Sequence, residues 1–184
     1  KPTVAMNNFE AALSEAAFMT GLERNADVVH QATYAPLFAH VEGWQWRPDL
    51  IWFDNLESVR SVNWYVQMLY GTNRGTNVLS LLENNKPVEG VDGLYASAVY
   101  DKEAKNYIIK IANTGDADKD INITFNGIKS LGSGKLITLH SNDLQATNTL
   151  SNKENVVPQT TNVEAKGNTL SVKIPAKTFA VYRF

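Results

Sequence analysis

The spacing of apolar residues changes once along this chain, near residue 77, and that change constrains the fold more than any other feature. Before it, Phe9, Leu13, Ala16, Ala17 and Thr20 recur at three- and four-residue steps, the repeat of a helix with one buried face. After it, apolar residues fall on every second position. Ile121, Ile123 and Phe125 face one way and Asn122 and Thr124 the other; Leu170, Val172 and Ile174 alternate likewise with Ser171 and Lys173. Strands are predicted over 78–82, 94–100, 107–112, 121–125, 135–139, 170–174 and 179–184, with DKEAKN (101–106) as a hairpin loop. Short alternating strands joined by polar turns predict a β-sandwich or jelly roll. Residues 140–166 are polar and read as a long loop with an irregular strand.

Upstream, residues 7–23 predict a helix, capped by Asn7 or Asn8 and carrying Glu10 in its first turn. Its many alanines permit close approach of a neighbouring layer. Residues 27–37 (DVVHQATYAPL) predict a strand whose end meets Pro36, so helix and strand together read as an αβ unit. A second helix is predicted over 61–70, with Val62, Tyr65, Val66 and Leu69 on one face. Residues 41–60 show neither period and read as a long aromatic loop. The glycine- and asparagine-rich run GTNRGTN (71–77) marks the boundary, and the fold class is mainly β: a helix–strand–helix unit over 1–76, then a sandwich over 77–184.

Composition removes several classes of function. A net charge of −2 over 184 residues supplies no basic field for nucleic acid or an anionic membrane. No run of 18 apolar residues occurs, so no transmembrane helix is encoded. The absence of cysteine excludes disulfides and thiolate chemistry, and leaves the redox compartment open. No leader peptide is visible, and an opening on Lys1 rather than Met suggests a processed or trimmed chain.

Catalytic residue types are present without a catalytic pattern. His30, His40 and His140 lie far apart and lack metal-ligand spacing, and His30 is read as a hydrogen-bonded core imidazole. Neither a nucleophile elbow nor a phosphate-binding loop occurs, and no cofactor or metal is implied. Glycosidic cleavage needs two carboxylates across one sugar. Glu15 and Glu23 read as a solvated helix face, and Asp49, Asp54 and Glu57 as capping or surface groups of the aromatic loop. The strongest functional feature is that loop itself: Trp44, Trp46, Trp52 and Phe53, in a segment where 11 of the chain's 18 aromatic residues fall in the first 70 positions. Flat rings on a loop either stack on the C–H face of a sugar or plug a gap between layers. The Asn122-Ile123-Thr124 sequon lies on a predicted strand and reads as chance.

Longer strings carry a resemblance. ALSEAAFMTGLERNADVVHQATYAPLFAHV, WQWRPDLIWFDN and NWYVQMLYGTNRG, followed by LYASAVYD, YIIKIANTG, LHSNDLQATNTL and IPAKTFAVYRF, cover nearly the whole chain in order. They closely resemble the C-terminal part of glycoside hydrolase family 51 α-L-arabinofuranosidases. The resemblance implies a C-terminal sandwich preceded by the last strand and flanking helices of a (β/α)8 barrel. It implies retaining hydrolysis of terminal α-L-arabinofuranosyl groups from arabinan or arabinoxylan. Both family carboxylates would lie upstream of Lys1, so no catalytic residue is carried over and the segment alone is expected to be inactive. Tyr34, Trp44 and Trp46 are the expected substrate-binding residues. Pro36 stands where some relatives place a sugar-contacting Gln, which weakens direct substrate bonding from that strand. The resemblance further implies a homo-oligomer, and a periplasmic or secreted parent rather than a cytoplasmic one. With barrel neighbours missing, the leading segment is expected to bind another copy, repack or lose order. The alternative function is an independent carbohydrate-binding sandwich, for which Tyr95, Tyr100 and Tyr107 are the aromatic candidates; an adhesion sandwich leaves the tryptophans unexplained.

Overall fold

The computed structural model describes residues 7–184; the expectation attached to Lys1 lies outside them. The first helix, α1 (Phe9–Arg24), starts where Asn8, in extended conformation, accepts a hydrogen bond from the Ala11 amide at 2.9 Å. Glu10 in its first turn and Arg24 in its last match the helix dipole. Phe9, Ala12, Leu13, Ala16, Ala17 and Thr20 are buried, as the 3.6-residue repeat requires. The second helix, α2 (Val62–Thr72), is capped by Ser61, and its Tyr70 hydroxyl donates to the Ala16 carbonyl at 2.8 Å. An alanine at that point of α1 leaves room for the ring.

Between the helices lies a small sheet of β1 (Phe38–His40), β2 (Ile51–Phe53) and β3 (Ser58–Arg60), parallel between the first two and antiparallel between the last. Two expectations need correction here. Residues 27–37 are not a strand. The chain turns as the Val28 and Val29 amides donate to Asn25, and only the Pro36 and Leu37 carbonyls, which accept from Leu50 and Ile51, meet a neighbouring segment before the ladder starts at Phe38; residues 30–35 find no such partner among the described residues. Nor is 41–60 one long loop. Trp52 and Val59 bury opposite each other on β2 and β3, against Ala39. Three-residue strands are too short to display a period in the sequence.

The rest of the chain forms β4 (Asn77–Leu79), β5 (Leu82–Glu83), β6 (Lys86–Pro87), β7 (Leu94–Asp101), β8 (Asn106–Asn113), β9 (Lys119–Thr124), β10 (Ser133–His140), β11 (Gln159–Glu164), β12 (Thr169–Ile174) and β13 (Thr178–Arg183). Strands β11-β10-β13-β8-β7-β4 make one antiparallel sheet, and β12 pairs β9 in a second. The hairpin at 101–106 forms as expected. Within 140–166 the expected irregular strand is a regular six-residue β11, whose mostly exposed QTTNVE is an edge with little to bury.

The six-stranded sheet is covered on both faces. Ile108, Phe179 and Val181 pack against α1 and α2, while Ile109, Ile111 and Tyr182 pack with Leu170 and Ile174 of β12. The molecule is therefore mainly β, with the helices, the six-stranded sheet and the β9–β12 pair in three layers. Double coverage explains why β8 reads as the near-continuous apolar run YIIKIAN.

One residue breaks that run. Lys110 is fully buried beneath α1, donating to Glu23 Oε1 at 2.5 Å and to the Asn73 carbonyl at 2.6 Å, with its ammonium 5.1 Å from the Tyr70 ring centre. The Ser97 hydroxyl gives Glu23 a second bond at 2.6 Å. Glu23 is thus not on a solvated helix face: α1 lies on the large sheet through this residue. Burial pushes the Lys110 ammonium below its ordinary range, against the pull of Glu23.

Candidate functional site

Residues 30–35 run beside α1 without a strand partner among the described residues, and Tyr34 marks where they touch it. The Asn7 side-chain amide donates to the Tyr34 hydroxyl at 2.8 Å. Burial, with the nearby Glu15 carboxylate, pushes that phenol up to about 12. Tyr34 lines a cavity of about 230 Å³ with Glu15, Phe18, Met19, Leu22 and Gln67.

Glu15 points into the α1–α2 seam rather than to solvent, which overturns its reading as a surface group. Asn63 and Gln67, one helical turn apart on α2, both donate amide hydrogens to its carboxylate. The Asn63–Gln67 spacing is visible in the sequence; that the pair faces Glu15 is not. Burial raises the Glu15 carboxyl, partly opposed by those two hydrogen bonds. A carboxyl held above its unfolded value takes up a proton sooner in the folded state, so its contribution is complete at low pH and is lost as pH rises through the folded value. The melting temperature of the protein minus that of Glu15→Gln is therefore expected to grow as pH is lowered from neutral toward 4.5, and calorimetry across that range checks it.

The expected tryptophans lie elsewhere. Trp52 is fully buried at the centre of the small sheet, so it packs and cannot line a cleft. Trp44 rests its edge on Trp52, with centroids 6.3 Å apart at 72°, and the Arg47 guanidinium lies 4.5 Å over its ring. Trp46 is 64% exposed. Neither Trp44 nor Trp46 lines the Tyr34 cavity, so the structure places the three expected binding residues in two separate surroundings.

The other acidic and imidazole groups have local work. Asp54 accepts from the Leu56 and Glu57 amides, which hold its carboxyl below the ordinary range, and Glu57 pairs with Lys153 at 2.6 Å. Asp49 is buried rather than on the surface; burial raises its carboxyl, and its Oδ2 has no partner among the described residues. His30 is exposed, its ring nitrogen 3.1 Å from the Asp27 carbonyl, and is not a core group, since its segment has no covering layer. His40 sets its ring edge against Phe53, and His140 lies beside Thr178. Among the described residues no three His, Asp or Glu converge as a metal site. Of the acids near Tyr34, only Glu15 enters its cavity.

On the sandwich, Tyr100, Tyr107 and Phe125 pack ring to ring, and Tyr95 leans on the core. These half-buried rings form no exposed stacking platform.

Comparison with known proteins gives the chain its family. The sequence model of the α-L-arabinofuranosidase C-terminal domain matches residues 2–178. The chain belongs to that family. The α-L-arabinofuranosidase A of Aspergillus kawachii is 34% identical over 178 residues, and α-L-arabinofuranosidase 1 of Arabidopsis thaliana 31% over 179; these stretches span 95% and 94% of this chain but 26% of each relative. An arabinose-bound family 51 α-L-arabinofuranosidase superposes with a TM-score of 0.86 at 32% identity, over 97% of this chain and 28% of that one. The arabinofuranosidase C-terminal domain thus spans about a quarter of the length of the relatives it matches. The enzyme of Thermotoga maritima shares the fold at 14% identity, with a TM-score of 0.79.

Proposed function

We propose that this domain is the rear portion of a retaining α-L-arabinofuranosidase, in which residues 1–76 complete a (β/α)8 barrel and the jelly-roll-like sandwich over 77–184 braces it. The observation that carries this reading is the uncovered surface along 29–37. Phe18, Val28, Leu37 and Phe38 are large exposed apolar groups flanking residues 30–35, which form no backbone hydrogen bond among the described residues. The buried acceptors Asn7 Oδ1 and Asp49 Oδ2, without partners among the described residues, support the same completion. A barrel needs about 250 residues, far more than lie here before the sandwich. In this reading barrel strands, or failing them a second copy of the chain, cover the uncovered segment; the whole enzyme is a homo-oligomer acting on arabinan or arabinoxylan.

The domain supplies position rather than proton transfer. Double displacement needs a nucleophile and an acid/base carboxyl about 5–5.5 Å apart, and both belong to the barrel residues outside this chain. Tyr34 would present its un-ionised phenol at the barrel's rim. Trp44, held by Trp52 and Arg47, would keep Trp46 over the sugar's C–H face.

Two measurements test this. The complete polypeptide is expected to hydrolyse a nitrophenyl α-L-arabinofuranoside, and residues 1–184 alone to show no turnover; turnover by the latter would refute the assignment. In the complete polypeptide, Trp46→Ala is expected to raise KM roughly tenfold, the effect of one stacking contact of about 1–1.5 kcal/mol, with the melting temperature unchanged. An unchanged KM removes Trp46 from the site.

A further inference from the structure

The residues expected at the sugar fall in two surroundings, and one stretch of chain touches the footing of both. It is residues 141–156, in the connection between β10 and β11. We infer that this connection is a positioning element for the substrate site, and that Asn148 is the residue that sets its shape. The inference deepens the arabinofuranosidase reading and rests on it.

The first footing is the start of α1. A helix leaves its first N–H groups without intrahelical partners. Here the Asn8 side chain serves the Ala11 amide. The Phe9 and Glu10 amides donate instead to the Ala146 and Leu144 carbonyls, both at 2.9 Å, so the connection closes the helix end with its own backbone. Gln145 tightens the grip, accepting from the Asn8 side chain at 2.9 Å and donating to Glu10 at 3.2 Å. Asn7, one residue before, is buried and donates to the Tyr34 hydroxyl. Tyr34 thus takes its place from a residue next to those the connection holds.

The second footing is the small sheet. Leu150 packs on the cluster of Ala39, Trp52 and Val59, and Trp52 carries the Trp44 ring. Asn148 joins the two footings. It is 1% exposed, and its side-chain amide donates to the Arg60 carbonyl at the end of β3 at 3.2 Å and to the Val156 carbonyl at 3.0 Å. Its Oδ1 accepts from the Val156 amide at 2.8 Å. Two donors and an acceptor on one short side chain are what an amide offers, and no hydroxyl or carboxylate does. Asn155 adds a tie to the Thr147 carbonyl at 3.1 Å. Asn148 therefore holds the arms of the connection to each other and to the strand beside Trp52, close in sequence to the two carbonyls that grip α1. Contacts carried on separate elements keep a common geometry only where a supporting layer ties those elements together.

Amide exchange and kinetics on the complete polypeptide test this, the exchange read by mass spectrometry over overlapping peptides covering 7–12. In the unchanged protein the Phe9 and Glu10 amides are expected to be protected like the helix interior, not to exchange as free helix-end donors do. Asn148→Ala is expected to lower that protection roughly tenfold and to leave β8 protected. It should also raise KM for a nitrophenyl α-L-arabinofuranoside roughly fivefold, with kcat changed by less than about twofold. Gln145→Ala, at an exposed position, should move both readouts the same way and by less. Free exchange at Phe9 and Glu10 in the unchanged protein overturns the inference. So does protection lost in Asn148→Ala with KM unmoved, which would leave the connection a purely structural clasp. If Asn148→Ala also loses protection in β8, Gln145→Ala decides alone, and an unmoved KM there overturns the inference. Absence of turnover by the unchanged polypeptide discards the arabinofuranosidase reading and the inference with it. Turnover with a KM indifferent to both variants discards the inference and keeps the reading.

Discussion

Replacing Glu23 with Ala is expected to cost the domain about 3–5 kcal/mol, measured by denaturant unfolding. The side chain of Lys110 is 0% exposed and that of Glu23 only 14%, so neither charge is screened as a surface pair would be. Without Glu23, Lys110 keeps the Asn73 carbonyl and the face of Tyr70 but loses its counter-charge. Ser97, which donates to Glu23, loses its acceptor in the same step. The desolvation of an ammonium is then left uncompensated, which is the expensive outcome. Converting the pair together, Glu23→Gln with Lys110→Met, removes both charges and keeps their volumes, so it should cost clearly less than the two single changes summed. A cost below about 1 kcal/mol for Glu23→Ala would show that water reaches Lys110 and that the pair does not clamp α1 to the sheet.

Trp52→Ala is expected to cost a similar amount, about 3–5 kcal/mol, because it empties the core of the small sheet. That sheet has three strands of three residues each, and Ala39, Val59 and Trp52 are its buried members. No other large side chain is fully buried there to hold it together. The loss should extend to function, since Trp44 leans on Trp52 and Trp46 lies two residues further on. In the complete polypeptide, Trp52→Ala should therefore lower both the melting temperature and the affinity for substrate, whereas Trp46→Ala moves only the second. A variant that keeps its melting temperature and loses affinity would place Trp52, not its neighbours, at the sugar.

The two helices and the strands expected over 94–100, 107–112, 121–125, 135–139, 170–174 and 179–184 formed, as α1, α2, β7, β8, β9, β10, β12 and β13, whereas the strand expected over 78–82 breaks after Leu79 and pairing resumes only at Leu82. The exceptions are instructive. DVVHQATYAPL has the β-branched residues and terminal proline of a strand, yet residues 29–37 form no ladder before Phe38. Strand propensity describes a surface that suits pairing, and pairing needs a neighbour. Trp44, Trp46 and Trp52 read alike in the sequence but divide into a supporting ring, an exposed ring and a core ring. Trp52 is core because β2 sets it opposite Val59 of β3, Trp44 rests on it from the preceding turn, and Trp46 has no such cover. Glu15 and Glu23 share one helix and read alike as solvated. One faces the amides of Asn63 and Gln67 and the other faces Lys110, because α2 and the large sheet close on them from different sides.

By itself the sequence determined the mainly β class, the start of the first helix at Asn7 or Asn8, the alternating faces of the long strands and the family to which the chain belongs. These depend on local periodicity and on strings of residues read in order. Only the tertiary structure decided which carboxylates are buried, which tryptophan is core, and which strand edge stays open. Those properties depend on what lies across from a residue, and contacts between segments distant along the chain are set by packing rather than by neighbours in sequence.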